Sequence, residues 1–367
     1  MFNIQKKLGF GAMRLPMVDG KVDTNAFSLM VDHFLEQGFN YFDTAHGYLD
    51  GQSEHAIRVS LADRYPREAF VLADKLSSPF FKTEADIRPL FEAQLKACGV
   101  SYFDFYLMHA QNAGNFDQFV SCRAYETAFA LKEEGKIRHV GLSFHDSPAM
   151  LDKILTTYPQ VEFVQIQFNY LDYEDPKVQS RGVYEVCRKH HKPVVIMEPV
   201  KGGTLANLPE AAKGFFDALD DGYSPAGYAL RYAAGFPDVI MVLSGMGSLE
   251  MVEDNTRAMK RFHPLSPTEK SAIKKVVTVL RGQDVIPCTG CRYCTEGCPA
   301  GIDIPALFAL RNENVTGTPW NRAYEEAKRE SYGDPSSCLA CGACEGICPQ
   351  KLPIRELLTK LADGENK

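Results

Sequence analysis

The sequence predicts an α/β fold: a (β/α)8 TIM barrel of eight parallel strands with covering helices, followed by a smaller helix-rich domain. Three observations predict it. Between residues 7 and 262, eight short apolar runs alternate with longer amphipathic stretches, the pattern of parallel strands joined by crossover helices. The 367 residues exceed the range in which one hydrophobic core keeps growing, so a second unit is expected. Eight of the 11 cysteines fall after residue 287 in two tight groups, which places that unit at the C-terminal end.

Taken in order, the strands are expected over residues 7–10, 40–44, 70–75, 103–109, 137–143, 161–167, 194–197 and 239–244. Between the first two, Phe27, Met30, Val31, Phe34 and Leu35 recur at i, i+3, i+4, i+7 and i+8, one buried helical stripe. A doubly wound open sheet is the alternative, but no GxGxxG follows the first strand and eight repeats suit closure. The barrel is assigned to residues 1–265. Residues 266–367 follow as a helical linker and a cysteine-bearing domain, with helices expected over 304–311, 321–329 and 354–362 and the sole tryptophan, Trp320, between the cysteine groups.

A formal charge of −7 provides no concentration of Lys and Arg for phosphate backbones or anionic lipid, so nucleic acid and membranes are not expected partners. The first residues, MFNIQKKLGFGAMRLP, lack the apolar run of a signal peptide, and no window is long enough to span a bilayer. A cytoplasmic protein is expected. In that reducing compartment clustered cysteines point to metal rather than disulfides.

The first group is Cys288, Cys291, Cys294 and Cys298 before Pro299; the second is Cys338, Cys341, Cys344 and Cys348 before Pro349. Both read CxxCxxCxxxCP. Three thiolates on one tight turn can grip three corners of a cubane, while zinc favours two CxxC pairs and tetrahedral closure. Two [4Fe-4S] clusters are the favoured reading. The repeat resembles bacterial two-cluster ferredoxins, and the long gap resembles the helical ferredoxin modules of larger oxidoreductases, making the domain 4Fe-4S ferredoxin-like. If ligation is crossed, Cys298 serves the second cluster and Cys348 the first.

In such barrels chemistry sits at the carboxyl ends of strands. There stand Asp43 in FDTAHGY, Tyr48 in the following loop, Lys75 ending VLADK and His109 ending FYLMH. Any one alone is an ordinary polar residue at a loop start. Together they suit carbonyl reduction: the Lys75 ammonium makes the Tyr48 phenol a usable acid, Asp43 holds Lys75 charged, and His109 donates to the carbonyl oxygen.

These residues, with LGFGAMRLP, GQSE, EGKIRHVGLS and NYL, resemble the aldo-keto reductase family over residues 1 to about 260. With the tail, the chain resembles the ferredoxin-fused members. The resemblance implies hydride transfer from NAD(P)H to an aldehyde or ketone, the tyrosine supplying the proton. It implies that Ser143 and Gln165 hold the nicotinamide carboxamide and that Asp254 and Asn255 contact adenine. The chain departs from the family at Phe144 and His145 after the serine, at Met197 beside Glu198 where an aromatic ring often stands, and at Gly245 and Met251 in place of a 2′-phosphate clasp.

The loop Ser244, Gly245, Met246, Gly247, Ser248 leads into a helix and suits a phosphate, of a dinucleotide or of FMN, with Arg14 as an added cation; a glycine-dependent turn is the plain alternative. FMN would solve an electron-counting problem, since hydride carries two electrons and each cluster takes one. The leading expectation is an oxidoreductase acting on a small-molecule carbonyl or alcohol and exchanging electrons with a ferredoxin or flavodoxin-like partner. The alternative is a redox-sensing or electron-relay subunit without carbonyl turnover. His46, His55, His190 and His191 are read as ordinary surface or core residues, His145 as a weak cofactor-facing candidate, and Cys98, Cys122 and Cys187 as buried small hydrophobes.

Overall fold

Short apolar runs separated by helices can bury both faces only in a sheet covered on one side and filled on the other. The computed structural model, which describes residues 2–316 and 332–363, meets that requirement by closure. Its barrel strands are β1 (Leu8–Gly11), β2 (Tyr41–Asp43), β3 (Val71–Leu76), β4 (Phe103–Gln111), β5 (Ile137–Phe144), β6 (Phe163–Gln167), β7 (Val194–Met197) and β8 (Val239–Gly245). Each pairs in parallel with its sequence neighbours, and β1 also pairs with β8 from Leu8↔Val242 to Gly11↔Gly245, leaving no open edge. All eight expected strands are present, displaced by two residues at most.

The barrel interior is filled by Tyr41, Val71, Ala73, Phe105, Leu107, Phe163, Val195, Met241 and Leu243. Glycine makes room for one of these: a Cβ at Gly141 would lie 2.4 Å from the Phe163 ring. Outside, helix Thr24–Glu36 starts where the Asp23 carboxylate accepts from the N–H groups of Asn25 and Ala26, and it buries Phe27, Met30, Val31 and Phe34. Leu35 sits at the rim of that stripe. An antiparallel hairpin, Met17–Val18 with Lys21–Val22, was absent from the sequence-based expectation. Its turn residues Asp19 and Gly20 both have positive φ, the signature of an Asp-Gly hairpin turn.

The chain divides into two compact units. The first comprises Met1–Glu174, Gln179–Pro199 and Gly227–Leu265, and the second Asp175–Val178, Val200–Ala226 and Ser266–Lys367. In the second, helix Pro267–Arg281 begins with a reciprocal cap between Ser266 and Glu269. The Lys275 ammonium lies 5.4 Å from the Phe215 ring of helix Glu210–Asp217. Gly202, at φ +63, presses against the backbone of Thr289, and the buried Lys201 ammonium donates to Gln350 Oε1 at 2.6 Å. Ile286, Ile302, Ile304, Phe308, Leu352, Ile354 and Leu358 form the core on which the cysteines pack. Helices Ile304–Thr316 and Ile354–Ala362 match expectation; Trp320 and the helix expected over 321–329 lie outside the described residues. Among the described residues no helix is long and apolar enough to cross a membrane.

Candidate active site and metal centre

Side chains alternate across a strand, so the polar layer is found by counting two residues on from the apolar plug. Tyr41 leads to Asp43, Ala73 to Lys75, Leu107 to His109, Phe163 to Gln165 and Leu243 to Gly245. Ser143 stands opposite Gln165 in the register of β5 and β6. Six residues from six strands therefore form one layer.

Lys75 is fully buried and its ammonium has three acceptors: Asp43 Oδ1 at 2.6 Å, the Thr44 carbonyl at 2.7 Å and the Tyr48 hydroxyl at 3.2 Å. Three donors and three acceptors satisfy a buried cation. The same ammonium lies 4.7 Å from the Tyr48 ring centre. Burial pushes the Asp43 carboxyl above its ordinary range, with the Lys75 charge and hydrogen bond pulling the other way. His109 meets Tyr48 edge to face, ring centres 5.8 Å apart, and its Nδ1 lies 2.5 Å from Ser77 Oγ. Burial, then the fields of Lys75 and His145, hold its imidazole well below the usual range, so it is neutral. Ser77 was missed by sequence reasoning. The signal was there, since Ser77 is two residues beyond Lys75 on the same inward parity.

The residues implied for a cofactor fall into two sets. Ser143 Oγ accepts from the Ala110 N–H at 2.8 Å, and Gln165 Nε2 contacts Met197 Sδ at 3.6 Å. Gln165 Oε1 is buried without a hydrogen-bond partner among the described residues, so a carboxamide N–H fits beside it. The second set lies where β8 meets helix Leu249–Lys260. Ser248 caps that helix, its hydroxyl accepting from the Met251 N–H at 3.4 Å. The space above Gly245 and Gly247 is taken by Arg14: a Cβ at Gly245 would lie 3.1 Å from Arg14 Cδ, and one at Gly247 3.3 Å from the Arg14 carbonyl. The Arg14 guanidinium is 3.9 Å from Glu198, whose backbone φ of +57 is unusual for a side chain of its size. Asn255 donates to Ser244 Oγ at 3.0 Å with both residues buried, while Asp254 pairs with Arg257 on its own helix.

The two cysteine motifs share one local geometry. The residue before the second cysteine is left-handed in both, Gly290 at φ +64 and Ala340 at +52, and so is the residue after it, Arg292 at +66 and Gly342 at +77. Arg292 is held in place by Asp303, 3.1 Å away. Burial raises the Cys294 thiol, and its neighbouring thiols are Cys291, Cys288 and Cys348. Cys298 lines one cavity together with Cys338, Cys341 and Cys344. The fourth cysteine of each motif thus lies with the first three of the other. Among the described residues no three His, Cys, Asp or Glu side chains converge as a single metal ion requires. The donor set is all thiol, which suits an iron–sulfur cluster.

Comparison with known proteins agrees with this division. Residues 7–278 match the model of the Aldo/keto reductase family, and residues 287–352 match that of a 4Fe-4S dicluster domain. The NADH-specific methylglyoxal reductase of Escherichia coli is 24% identical over 305 residues, covering 69% of this chain and 89% of that protein. L-galactose dehydrogenase of Arabidopsis thaliana is 24% identical over 288 residues, covering 74% of this chain and 90% of that protein. Among solved structures, an aldo-keto reductase from Bacillus halodurans in its holo form aligns with TM-score 0.60 and 26% identity over 74% of this chain and 92% of that one. The chain belongs to the aldo/keto reductase family and bears a C-terminal 4Fe-4S ferredoxin domain.

Proposed function

We propose that this chain reduces an aldehyde or ketone, or oxidises the corresponding alcohol, at Tyr48, and exchanges electrons through two [4Fe-4S] clusters. The observation that supports it best is the Lys75 ammonium shared between Asp43 and Tyr48 at 2.6 and 3.2 Å. A phenol so placed loses its proton more readily, because the adjacent cation stabilises the phenolate. Tyr48 passes that proton to the carbonyl oxygen, and Lys75 balances the charge left behind. With the tautomer in which Ser77 Oγ is the donor to His109 Nδ1, the ring carries its proton on Nε2 and that N–H fixes the carbonyl oxygen; the neutral ring adds no competing charge.

A bound nicotinamide supplies hydride to the carbonyl carbon. Ser143 and the unpartnered Gln165 carbonyl oxygen are the residues that would hold its carboxamide. The name of the Escherichia coli relative, an NADH-specific reductase, supports the same donor. FMN is the second reading for this mouth, supported by the Arg14 side chain beside the β8 loop and by the need to join hydride to one-electron clusters. Cys288, Cys291, Cys294 and Cys348 would hold one cluster and Cys298, Cys338, Cys341 and Cys344 the other. A ferredoxin or flavodoxin-like protein is the proposed redox partner, and a reducing cytoplasm suits its thiols.

The test is anaerobic turnover of small aldehydes with NADH and NADPH, comparing the unsubstituted chain with Tyr48→Phe. A loss of at least about 100-fold in kcat with clusters intact is expected. Equal turnover in both would end the reductase reading and leave the electron-relay alternative. Flavin fluorescence after acid extraction of the same protein decides between the two donors.

A further inference from the structure

We propose that Arg355 raises the reduction potential of the second cluster, making the solvent-facing quartet of Cys298, Cys338, Cys341 and Cys344 the more oxidising of the two centres. The proposal rests on the two-cluster reading above. Among the described residues fourteen line the cavity bounded by these four thiols, and Arg355 is the only charged one of these. The rest are glycines, alanines, a proline and aliphatic side chains besides the cysteines.

Reduction adds one electron and one unit of negative charge to a cluster already made anionic by its thiolates. A nearby cation stabilises that added charge, and so does contact with water. Both act on this quartet. The Arg355 guanidinium approaches Gly342, next to Cys341, closely enough that a Cβ there would lie 3.7 Å from its Cζ. Glu345, directly after Cys344, fixes it with bonds of 2.9 Å from Nε and 2.7 Å from Nη2. Cys341 is exposed, and Leu339 between the first two thiols is 68% exposed. In the other quartet Cys348 is buried, with 8% exposure. Burial disfavours the extra charge there.

Arg355 is half exposed and ion-paired, so solvent and Glu345 screen its field. The consequence is a graded shift, and Glu345 must oppose it. The carboxylate holds the guanidinium beside the cluster while cancelling part of its charge. An electron arriving on either centre would then settle on the exposed one, the end of the pair that a soluble carrier can reach.

The experiment is an anaerobic redox titration of the full chain followed by paramagnetic resonance, with dithionite as reductant. Two cluster signals are expected, the one of higher potential being the signal that Cys341→Ser alters. Arg355→Gln should move that signal to more negative potential, Arg355→Lys should leave it near its original value, and Glu345→Gln should move it positive. The lower-potential signal should stay in place in all three. If Arg355→Gln moves neither signal, or moves only the lower one, the proposal is overturned. Should Arg355→Gln fail to retain its clusters, the Glu345→Gln shift decides by its sign, and no shift there overturns it equally. Absence of any [4Fe-4S] signal from the unsubstituted chain would remove the cluster reading and this proposal with it; two signals that ignore both substitutions would remove this proposal alone.

Discussion

Asp74 and Lys75 are adjacent and fully buried, yet they belong to different environments because β3 turns them to opposite faces. Lys75 serves the interior layer. Asp74 faces the helices, where it accepts from the Lys75 N–H at 2.7 Å and meets Cys98 Sγ at 3.8 Å. Burial first, then the charge of Glu54, pushes its carboxyl well above the ordinary range, which favours the protonated acid. Glu54 Oε2 lies 3.1 Å from His46 Nδ1, and that contact raises the His46 imidazole. A raised acid binds its proton more tightly when folded, so the stability it adds is complete below its unfolded pKa and is lost as pH rises toward the folded one. Asp74→Asn retains a neutral donor of the same shape. Unfolding by urea should show this variant losing less stability than the unsubstituted protein as pH rises above the unfolded carboxyl value of about 4. Asp74→Ala, which leaves a gap beside Glu54, should cost about 2 to 4 kcal/mol at pH 7. A pH slope unchanged in Asp74→Asn would show that Asp74 is ionised. Asp43, Lys75 and His109 were legible at this scale as polar residues at strand ends, and Tyr48 as a phenol in the loop after one of them. Asp74 and Ser77 were not, because a buried acid and a positioning hydroxyl look like ordinary strand residues until their neighbours are known.

At the scale of elements, Glu162 ties three pieces of the barrel wall together. Its carboxylate meets the Lys132 ammonium at 2.5 Å, His139 Nδ1 at 2.9 Å and the Val140 N–H at 3.0 Å. Helix Ala124–Glu133, strand β5 and the turn into β6 converge there. Burial pushes the carboxyl up, but the bonds from His139, Lys132 and the backbone outweigh it and hold it at about 2, against an ordinary value of 4.5. A lowered acid adds stability that is complete above the unfolded value and lost as pH falls through the folded one. Glu162→Gln should therefore lower stability at pH 7 by about 1 to 3 kcal/mol and flatten the acid limb between pH 4.5 and about 2, read by thermal melts across that range. An acid limb as steep as in the unsubstituted chain would count against this ion cluster. The strands themselves were readable from apolar runs alone. The Met17–Val18 hairpin escaped because two residues per strand carry almost no periodic signal, although the Asp19-Gly20 turn marked it.

For the whole molecule, the second compact unit comprises Ser266–Lys367 together with Val200–Ala226 and Asp175–Val178 from within the barrel sequence. Those segments hold Lys201, whose ammonium is buried on Gln350, and Gly202, whose missing Cβ lets Thr289 approach. The cysteine unit is therefore not a detachable tail in sequence terms. Its small apolar core is built around thiols that bound metal would bring together, and ligation in such domains contributes directly to folding. Anaerobically isolated protein should contain about eight iron atoms per chain, the content of two cubanes. Stripping iron with a chelator and oxidant should lower the melting temperature of one transition while the barrel transition persists. Elemental analysis and calorimetry check both, and a stripped protein that melts like the loaded one would exclude a structural share for the metal.

By itself, the sequence determined the strand count, the inward placement of Asp43, Lys75 and His109 on their strands and the two thiol motifs, because each is written in local spacing: period two for strands, 3.6 for helices, three residues between cysteines on a turn. Only the tertiary structure decided which distant groups meet. Placing Lys75 between Asp43 and Tyr48, setting Cys298 among the thiols of the second motif, bringing Arg14 over Gly245 and drawing residues 200–226 into the cysteine unit are outcomes of chain closure and packing. Spacing along the chain specifies which face a side chain takes; it does not specify the partner across it, which depends on how all the faces fill space together.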